Sequence, residues 1–331
     1  MTGEPSGPVH SSAVFDRLAG ALGGRRNHPL GELTTYRVGG PAAVFVTVES
    51  HERLDAVASV LATELATVDV PILVIGRGSN LLVSDRGYSG VVVQLGEFAT
   101  ECEVHAHGDE AFVDAGGASP LPVVARRTVA AGMSGFEWAV GVPGTIGGGV
   151  RMNAGGHGSD MAASLVSVDV VDLRSGRRER RSADRLGLRF RGSDLTDHEI
   201  VVAARLALRH GDPVESRRVL DEIVKWRREH QPGGQNAGSV FVNPIPGELA
   251  AGELIDRAGL RGVRIGTAEV STKHANFIQA DDGGRADDVR AVIEHVRDEV
   301  RRRFDVLLRS EIRLVGFDDR SGPNASMGAT P

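Results

Sequence analysis

Apolar residues recur at helical spacing in six segments of the chain. The second segment shows the pattern best, because Leu54, Val57 and Leu61 fall on one face and Ser50 can cap the first turn. Helices are therefore predicted over residues 13–22, 51–66, 121–131, 213–228, 252–258 and 286–303. The helix over 213–228 is amphipathic and much more highly charged than the preceding sequence. This change in composition predicts a domain boundary near residue 212.

Shorter apolar runs, several of them alternating with polar residues, predict β-strands. They cover residues 43–48, 91–95, 103–107, 111–115, 165–172, 177–181, 199–206, 275–280 and 311–315. Alternation also predicts an extended strand through residues 188–193, which places Arg189 and Arg191 on one face and Phe190 on the other.

A further apolar run at 72–75 ends in the turn Gly76-Arg77-Gly78-Ser79-Asn80, and another apolar run follows at once. Glycine can adopt positive φ and has no Cβ to keep a ligand away from the backbone. Successive N–H groups in such a turn can converge on an anion, and Ser79 and Asn80 add donors. The pattern is consistent with a cradle for a diphosphate and equally with an ordinary Gly-Ser turn of a β-hairpin.

Residues 141–158 contain eight glycines in eighteen residues. A flexible linker is the simpler explanation, but linkers are usually polar and rich in serine. This segment instead retains Val142, Ile146, Val150 and Met152. Ordering so many glycines costs backbone entropy, which a fold accepts where something must lie against the main chain. Two apolar-lined glycine segments favour a large cofactor with one diphosphate and flat rings.

The composition narrows the functional classes. The chain has 331 residues with a net charge of −6, whereas a nucleic-acid-binding protein should carry a basic surplus. The single cysteine, Cys102, excludes an internal disulfide and every metal site built from several cysteines. The polar N-terminal stretch lacks the pattern of a signal peptide, and no apolar run is long enough to span a bilayer. A cytoplasmic location without membrane association is therefore expected.

Several polar side chains are candidates for chemistry, and each has a simpler alternative. The simplest interpretation of Arg191 is a solvent-exposed side chain. Glu311 and Arg313 share a face of the last predicted strand, where a cross-strand salt bridge is the plain explanation. Ser239 follows small residues that leave room for a ligand, but it can equally be a hydroxyl satisfied in a tight turn. A Gly-x-Ser-x-Gly nucleophile elbow is absent around Ser239.

Two further groups carry weaker signals. Lys273 and His274 can contact an anion or belong to a polar loop. His105 and His107 alternate on a strand without further ligands nearby, so no metal site is predicted.

Nine segments occur in the order found in one known family. They are residues 34–42, 76–82, 141–148, 152–155, 237–241, 251–256, 264–266, 270–278 and 311–313, and include Met152-Asn153-Ala154-Gly155 and Glu311-Ile312-Arg313. On these segments the chain resembles the UDP-N-acetylenolpyruvoylglucosamine reductase (MurB) family across residues 30–317. Its spacing resembles the shorter branch of that family, which lacks an extra tyrosine-bearing substrate loop.

The resemblance implies an α+β fold of the FAD-binding PCMH or vanillyl-alcohol-oxidase type with a C-terminal α/β substrate domain. FAD is then held non-covalently between a first lobe, residues 13–67 completed by 305–317, and a second lobe, residues 68–212. Residues 213–304 form the substrate-binding domain. We expect residues 1–12 and 318–331 to be disordered tails.

The resemblance further implies an enzyme that uses NADPH to reduce the enolpyruvyl ether of UDP-N-acetylglucosamine to UDP-N-acetylmuramate for peptidoglycan. Reduced flavin N5 passes a hydride to the enolpyruvyl C3, Ser239 donates a proton to C2, and Arg191 and Glu311 stabilise the enolate-like intermediate. A buried carboxyl beside developing negative charge must be neutral or tightly hydrogen-bonded, and we expect Glu311 to act in that form. The only partner implied is the small UDP-sugar, and the protein is expected to be a monomer.

By the same resemblance, binding residues can be assigned. FAD is contacted by Tyr36, Ile75, Gly76, Arg77, Gly78, Ser79, Asn80, Leu81, Leu82, Gly141, Val142, Pro143, Gly144, Thr145, Gly147, Gly148, Asn153, Ala154, Gly158, Ile200, Val201 and Arg313. The substrate is contacted by Arg227, Asn243, Lys273 and His274. Val242 and Gly192 depart from the polar residues usual in the family, which bears on substrate affinity. The alternatives are a flavin oxidase of the same superfamily acting on another small molecule, and a catalytically silent flavin-binding paralogue.

Overall fold

The computed structural model describes residues 12–317 except Asp109 and Pro246. The expected tails lie outside the described residues, apart from Ser12, which begins the first helix. In this part of the chain the helices are α1 (Ser12–Leu22), α2 (His51–Glu64), α3 (Leu121–Ala130), α4 (Ile146–Arg151), α5 (Pro213–His230), α6 (Ala251–Arg257) and α7 (Ala286–Phe304). Short 3-10 helices cover Gly31–Leu33, Glu97–Thr100, Glu137–Gly141, Met161–Ala163 and Ala183–Leu186. All six predicted helices are confirmed, and α4 is an addition that the apolar spacing did not predict.

The strands are β1 (Arg25–Pro29), β2 (Pro41–Val48), β3 (Ile72–Val74), β4 (Leu81–Val83), β5 (Tyr88–Leu95), β6 (Cys102–His107), β7 (Glu110–Gly116), β8 (Met133–Ser134), β9 (Gly155–Gly156), β10 (Ser159–Asp160), β11 (Leu165–Asp172), β12 (Arg178–Ser182), β13 (Glu199–His210), β14 (Arg264–Ile265), β15 (Ala268–Val270), β16 (Ile278–Ala280) and β17 (Arg313–Val315). Two strands are shorter than predicted, since β16 begins at Ile278 and β17 at Arg313. The backbone just before each of them bonds to residue 240 instead of continuing the ladder.

The first lobe is a four-stranded sheet in the order β1-β2-β5-β3 that shares one core with α1 and α2. Leu54 and Leu61 of α2 are fully buried in this core, as the helical spacing predicts. Ser50 caps α2, because its Oγ accepts a hydrogen bond of 3.1 Å from the Arg53 backbone N–H. Since β3 and β5 complete the sheet, the packing favours an end of this lobe after Leu95 rather than at residue 67.

The second lobe is an antiparallel sheet in the order β12-β11-β13-β7-β6, and β8 pairs with the far end of β13. The strands predicted over residues 165–172 and 177–181 are confirmed as β11 and β12, which pair with each other as a hairpin. Leu121 and Val124 of α3 share the core of this lobe with Leu220 and Ile223 of α5. The packing therefore favours a start of the substrate domain after α5 rather than at residue 213.

The third unit is the small sheet β14-β15-β16, which shares a core with α6 and α7. α7 buries Val289, Val292, Ile293, Val296 and Val300, as its periodicity predicts. After α7 the chain returns to the first lobe, where β17 pairs in parallel with β4. This return brings residue 311 beside the turn that joins β3 to β4.

Among the helices of the described chain, none combines the length and the apolar character that a membrane span requires.

Candidate active site

The turn over residues 76–80 joins β3 to β4. Its backbone N–H groups are unpaired in the part of the chain that the structure describes. The backbone N–H groups of all five residues have no hydrogen-bond acceptor within the described residues. Buried or half-buried N–H groups are almost always paired in folded proteins, so an unpaired row indicates a place for an anion. β3 and β4 lie in different sheets. The alternative of an ordinary β-hairpin turn is therefore wrong, and the backbone has the free donors that the predicted cradle requires.

The second glycine segment folds around the short helix α4 and touches the first. Thr145 begins α4 and its Oγ1 accepts a hydrogen bond of 3.3 Å from the Gly148 N–H. Ser79 Oγ donates to the carbonyl oxygen of Pro143 at 3.1 Å, which joins the two glycine segments. Val150 is fully buried in the core of the second lobe. The segment is therefore a packed element, and the linker alternative is wrong.

Two adjoining cavities of about 310 and 210 Å³ lie along these glycine segments. Both are lined by Gly76, Arg77, Thr145, Arg151 and Arg313. The larger cavity runs between apolar side chains of both lobes, namely Val74, Ile75, Leu95, Ile200 and Val201. The smaller cavity ends at Arg191, Ala237, Gly238 and Glu311. A ligand that fills both would lie across the cradle and reach the three segments that end the smaller cavity.

Arg191 and Glu311 meet at the end of the smaller cavity. Arg191 Nε donates to Glu311 Oε2 at 3.1 Å although the two residues are 120 positions apart. Burial raises the pKa of the Glu311 carboxyl, and the charge and hydrogen bond of Arg191 oppose this only in part. The carboxyl therefore keeps its proton to a higher pH than an ordinary glutamate, which suits the expected neutral or hydrogen-bonded form. Both residues of the last predicted strand thus pair with other segments, as the salt-bridge explanation expected, because Arg313 binds Asp197.

The strand predicted over residues 188–193 is also wrong. Arg189 and Gly192 close a tight turn with reciprocal backbone hydrogen bonds of 2.9 and 3.0 Å. Arg191 has a φ of +57°, which ends the extended backbone that alternation requires. Arg189 is drawn away to Asp194, at 2.5 Å, while the guanidinium carbon of Arg191 lies 4.9 Å from the centre of the Phe190 ring. The turn frees Arg191 alone to face the cavity.

Ser239 lies in a short segment, residues 237–242, that bends at Gly238, whose φ is +79°, and then runs beside Glu311. The Glu311 N–H donates to the carbonyl oxygen of Val240 at 2.8 Å, and Asn80 Nδ2 donates to the Glu311 carbonyl oxygen at 2.9 Å. Ala237 and Gly238 line the smaller cavity, whereas Ser239, the next residue, is half-buried and is not part of the lining of either cavity. Its hydroxyl makes no hydrogen bond to any described residue, so it is not a hydroxyl satisfied in a tight turn.

Comparison with known proteins identifies the family. Residues 42–181 match a model of an FAD-binding domain, and residues 230–315 match the C-terminal domain of UDP-N-acetylenolpyruvoylglucosamine reductase. The reductase of that name from Heliobacterium modesticaldum is 40% identical over 293 residues, which cover 88% of this chain and 90% of the relative. The one from Synechococcus sp. RCC307 is 40% identical over 300 residues, covering 88% and 94%. The chain belongs to the UDP-N-acetylenolpyruvoylglucosamine reductase family.

A solved structure of the family agrees. The crystal structure of UDP-N-acetylenolpyruvylglucosamine reductase (MurB) from Thermus caldophilus superimposes with a TM-score of 0.73 at 34% identity, and the match covers 88% of this chain and 99% of that one. The predicted family, α+β fold with an FAD-binding domain, and class of FAD-dependent reductase are therefore confirmed. The FAD-binding model spans both glycine segments, and the C-terminal model spans Ser239 and Glu311.

Most of the FAD contacts that the family resemblance implies line the two cavities. They are Ile75, Gly76, Arg77, Gly78, Ser79, Asn80, Leu81, Val142, Pro143, Gly144, Thr145, Gly147, Gly148, Ala154, Ile200, Val201 and Arg313. Five others do not: Tyr36, Leu82, Gly141, Asn153 and Gly158. Tyr36 and Leu82 are fully buried in the core of the substrate domain, and Gly141 packs against His157.

The Asn153 side chain stabilises the second glycine segment through hydrogen bonds and does not line either cavity. Its amide nitrogen donates to Asp160 at 3.1 Å and to the carbonyl oxygen of Arg189 at 3.2 Å. Its amide oxygen accepts from the Ala162 N–H at 2.9 Å. With three partners, Asn153 fixes the loop of Arg191 to the second lobe.

The expected substrate residues Arg227, Lys273 and His274 gather where α5 ends. Arg227 is half-buried without a carboxylate partner, and burial lowers its pKa. Lys273 Nζ donates to the Arg228 carbonyl oxygen at 2.6 Å, which ties the loop after β15 to α5. Burial, and next the charge of Arg261, lower the pKa of His274. None of the three lines either cavity.

Asn243, the fourth expected substrate residue, stands apart from this group. Its side-chain oxygen accepts a hydrogen bond of 3.1 Å from the Ala251 N–H and so holds the start of α6.

Sequence reasoning missed a group of polar residues that line the larger cavity: Gln94, Glu97, Arg151, Asp197 and Glu199. Arg151 donates to the Leu195 carbonyl oxygen at 2.8 Å and to Asp197, which also binds Arg313. Arg151 could have been noticed, because it ends a turn of the second glycine segment. Asp197 carried no local signal, since its partners lie 46 and 116 positions away.

Among the residues that the structure describes, no group of three or more His, Cys, Asp or Glu side chains is arranged to hold a metal ion.

Proposed function

We propose that this chain reduces UDP-N-acetylenolpyruvoylglucosamine to UDP-N-acetylmuramate in peptidoglycan synthesis, with non-covalent FAD and with NADPH as the reductant. The observation that carries the proposal is the meeting of Arg191, Glu311 and the Ser239 segment at one end of a cavity. The other end of that cavity is the cradle of five free N–H groups. We further propose that the protein acts as a monomer in the cytoplasm.

The residues around the two cavities fit FAD. The free N–H groups of residues 76–80 suit the oxygens of a diphosphate, and the guanidinium of Arg77 has no ion pair with any described residue. The apolar walls of the larger cavity suit flat rings. When bound, FAD supplies hydride transfer between NADPH and the enolpyruvyl double bond.

Three side chains then act on the substrate. Once hydride has reached C3, negative charge develops at C2 and spreads into the substrate carboxylate. The permanently charged Arg191 guanidinium is placed to stabilise that charge as it forms. Glu311 in its protonated form donates a hydrogen bond without adding a second negative charge. The free hydroxyl of Ser239 donates the proton to C2, because a carbanionic carbon is basic enough to take it.

Charged groups at the end of α5 suit the other part of the substrate. Arg227 is half-buried and has no carboxylate partner, so its charge is available for an anion. Lys273 and His274 lie on the adjacent loop. We propose that this group binds the diphosphate of the UDP-sugar. Asn243 contributes a substrate contact through the part of its amide that does not hold α6.

The deciding assay is NADPH oxidation that depends on the enolpyruvyl UDP-sugar, measured on the purified yellow protein. A flavin oxidase would instead react with oxygen and ignore the UDP-sugar, and a silent paralogue would turn over with neither. Ser239→Ala should slow oxidation of the reduced enzyme by the substrate about 10²- to 10⁴-fold, which is the usual contribution of a general acid to the rate. Reduction of the enzyme by NADPH should be unchanged. Ser175→Ala, in the exposed β11–β12 turn, is the control. Equal rates in the two variants would remove Ser239 from the mechanism.

A further inference from the structure

The segment that carries Ser239 is held on one side by a single buried side chain, Asn276. Asn276 is 4% exposed and lies between Ala275 and Phe277, both of them buried and apolar. Its side-chain oxygen accepts from the Phe241 N–H at 2.9 Å, and its side-chain nitrogen donates to the Phe241 carbonyl oxygen at 2.8 Å. Its backbone carbonyl oxygen accepts from the Val240 N–H at 2.9 Å. One residue thus satisfies three backbone groups of the two residues that follow Ser239, namely both N–H groups and the Phe241 C=O.

The opposite edge of the segment is held by the chain that carries Glu311. The Glu311 N–H donates to the Val240 carbonyl oxygen at 2.8 Å, and the Val242 N–H donates to the Arg309 carbonyl oxygen at 2.9 Å. Residues 240–242 of the Ser239 segment are therefore bonded on both edges, with the Glu311 chain as one neighbour and Asn276 as the other. Its side-chain amide takes the place that a peptide group of an adjacent strand would fill.

We propose that Asn276 is a positioning residue that fixes the Ser239 hydroxyl against the Arg191–Glu311 pair. The proposal rests on the function proposed above. The clamp lies within two residues of Ser239, while the Ser239 side chain itself has no partner that could orient it. Fixing the backbone is thus the means by which this chain limits where the hydroxyl can lie. Proton delivery is sensitive to such placement, since the donor and the acceptor must come within hydrogen-bond reach.

The Asn276 amide also satisfies the backbone N–H and C=O of the buried Phe241, so the test must separate this structural role from the positioning of Ser239. The surrounding core is apolar, and a buried polar side chain is stable only when its groups are paired. Asn276 is paired only with the two residues that follow Ser239, apart from the turn bond that its N–H makes to His274.

The test compares two variants of Asn276 with a matched control in the same domain. Asn276→Leu keeps the size and removes both side-chain hydrogen bonds, and Asn276→Asp keeps the acceptor for Phe241 N–H but loses the donor. Thr267→Val is the control, because it also keeps the size and removes two hydrogen bonds, those with Asp288 and with the Arg285 N–H. Thr267 has no contact with the Ser239 segment among its described hydrogen bonds.

The two half-reactions are measured separately in the holoenzyme. Both Asn276 variants should slow oxidation of the reduced enzyme by the enolpyruvyl UDP-sugar, by about 10- to 100-fold as expected for a misplacement near 1 Å. They should also enlarge the solvent deuterium isotope effect on that step and leave reduction by NADPH unchanged. The control should change neither half-reaction.

Three results would overturn the proposal. One is an unchanged substrate half-reaction and isotope effect in both Asn276 variants. Another is an equal slowing of both half-reactions. The third is loss of FAD from both variants but not from the control, since Asn276 would then serve the fold rather than Ser239. If the enolpyruvyl UDP-sugar does not oxidise the reduced parent enzyme, the proposed function itself is refuted instead.

Discussion

Replacing Gly78 by alanine tests the cradle most directly, because the backbone there cannot accept a side chain. Gly78 has a φ of +56°, a conformation that costs an L-residue roughly 1–2 kcal/mol. A Cβ at this position would also lie 2.3 Å from the carbonyl oxygen of Leu33 and 2.7 Å from Thr34 Cα. Both neighbours are backbone atoms, so the turn itself must move.

The size of that movement sets the expected loss of affinity. Real Cβ contacts are essentially never closer than 3.0 Å, so a contact of 2.3 Å requires a shift of the turn by several tenths of an ångström at least. Such a shift misaligns one or more N–H groups of residues 76–80 from a diphosphate. A hydrogen bond to a charged group contributes about 1.5–3 kcal/mol, so losing one weakens FAD binding about 10- to 100-fold.

The assay is titration of FAD-free protein with FAD, followed by the quenching of flavin fluorescence. Gly176→Ala is the matched control, because Gly176 also has positive φ, +71°, but lies in the exposed β11–β12 turn with no atom near its missing Cβ. Both variants should lose similar stability from the backbone conformation, and only Gly78→Ala should lose FAD affinity. Equal FAD dissociation constants in the two variants would show that the turn over residues 76–80 is not the diphosphate site.

Two further predictions concern stability. In the folded chain the raised pKa of Glu311 means that its proton is held where the unfolded chain, with a carboxyl pKa near 4.5, has lost it. The contribution of Glu311 to stability therefore falls as the pH rises from about 4.5 through the folded pKa, and Glu311→Gln should gain thermal stability relative to the parent across that window. A melting difference that does not vary with pH would contradict this. Ser50→Ala should lower the unfolding free energy by about 1 kcal/mol through loss of the α2 cap, measured by urea denaturation, while Ser59→Ala on the exposed face of the same helix should not.

The sequence determined the elements whose cause is local. The helices α2 and α7 follow from apolar residues that recur once per turn, and Ser50 caps α2 by bonding a residue three positions away. The glycines of residues 76–80 made an anion cradle one of two interpretations, because positive φ and bare backbone are properties of the residue itself. The order of nine motifs was enough to predict the family.

Local patterns failed where distant segments decide the backbone. Alternation predicted a strand around Arg191, but the turn there is held by Asn153, whose amide donates to the Arg189 carbonyl oxygen from 36 positions away. α5 looked like the start of a new domain from its charge, yet its few apolar side chains complete the core of the second lobe. The charged residues of a helix identify its exposed face. They do not indicate which hydrophobic core its apolar face packs against.

The chain by itself thus fixed which residues are helical, which turns are bare and which family the motifs belong to, because these depend on neighbours within a few positions. Only the tertiary structure decided that Arg191 faces Glu311, that Asp197 joins Arg151 to Arg313, and that Asn276 clamps the Ser239 segment. Each of those contacts joins residues at least 35 positions apart. Their geometry is set by how the two lobes and the substrate domain pack, which no local pattern of residues encodes.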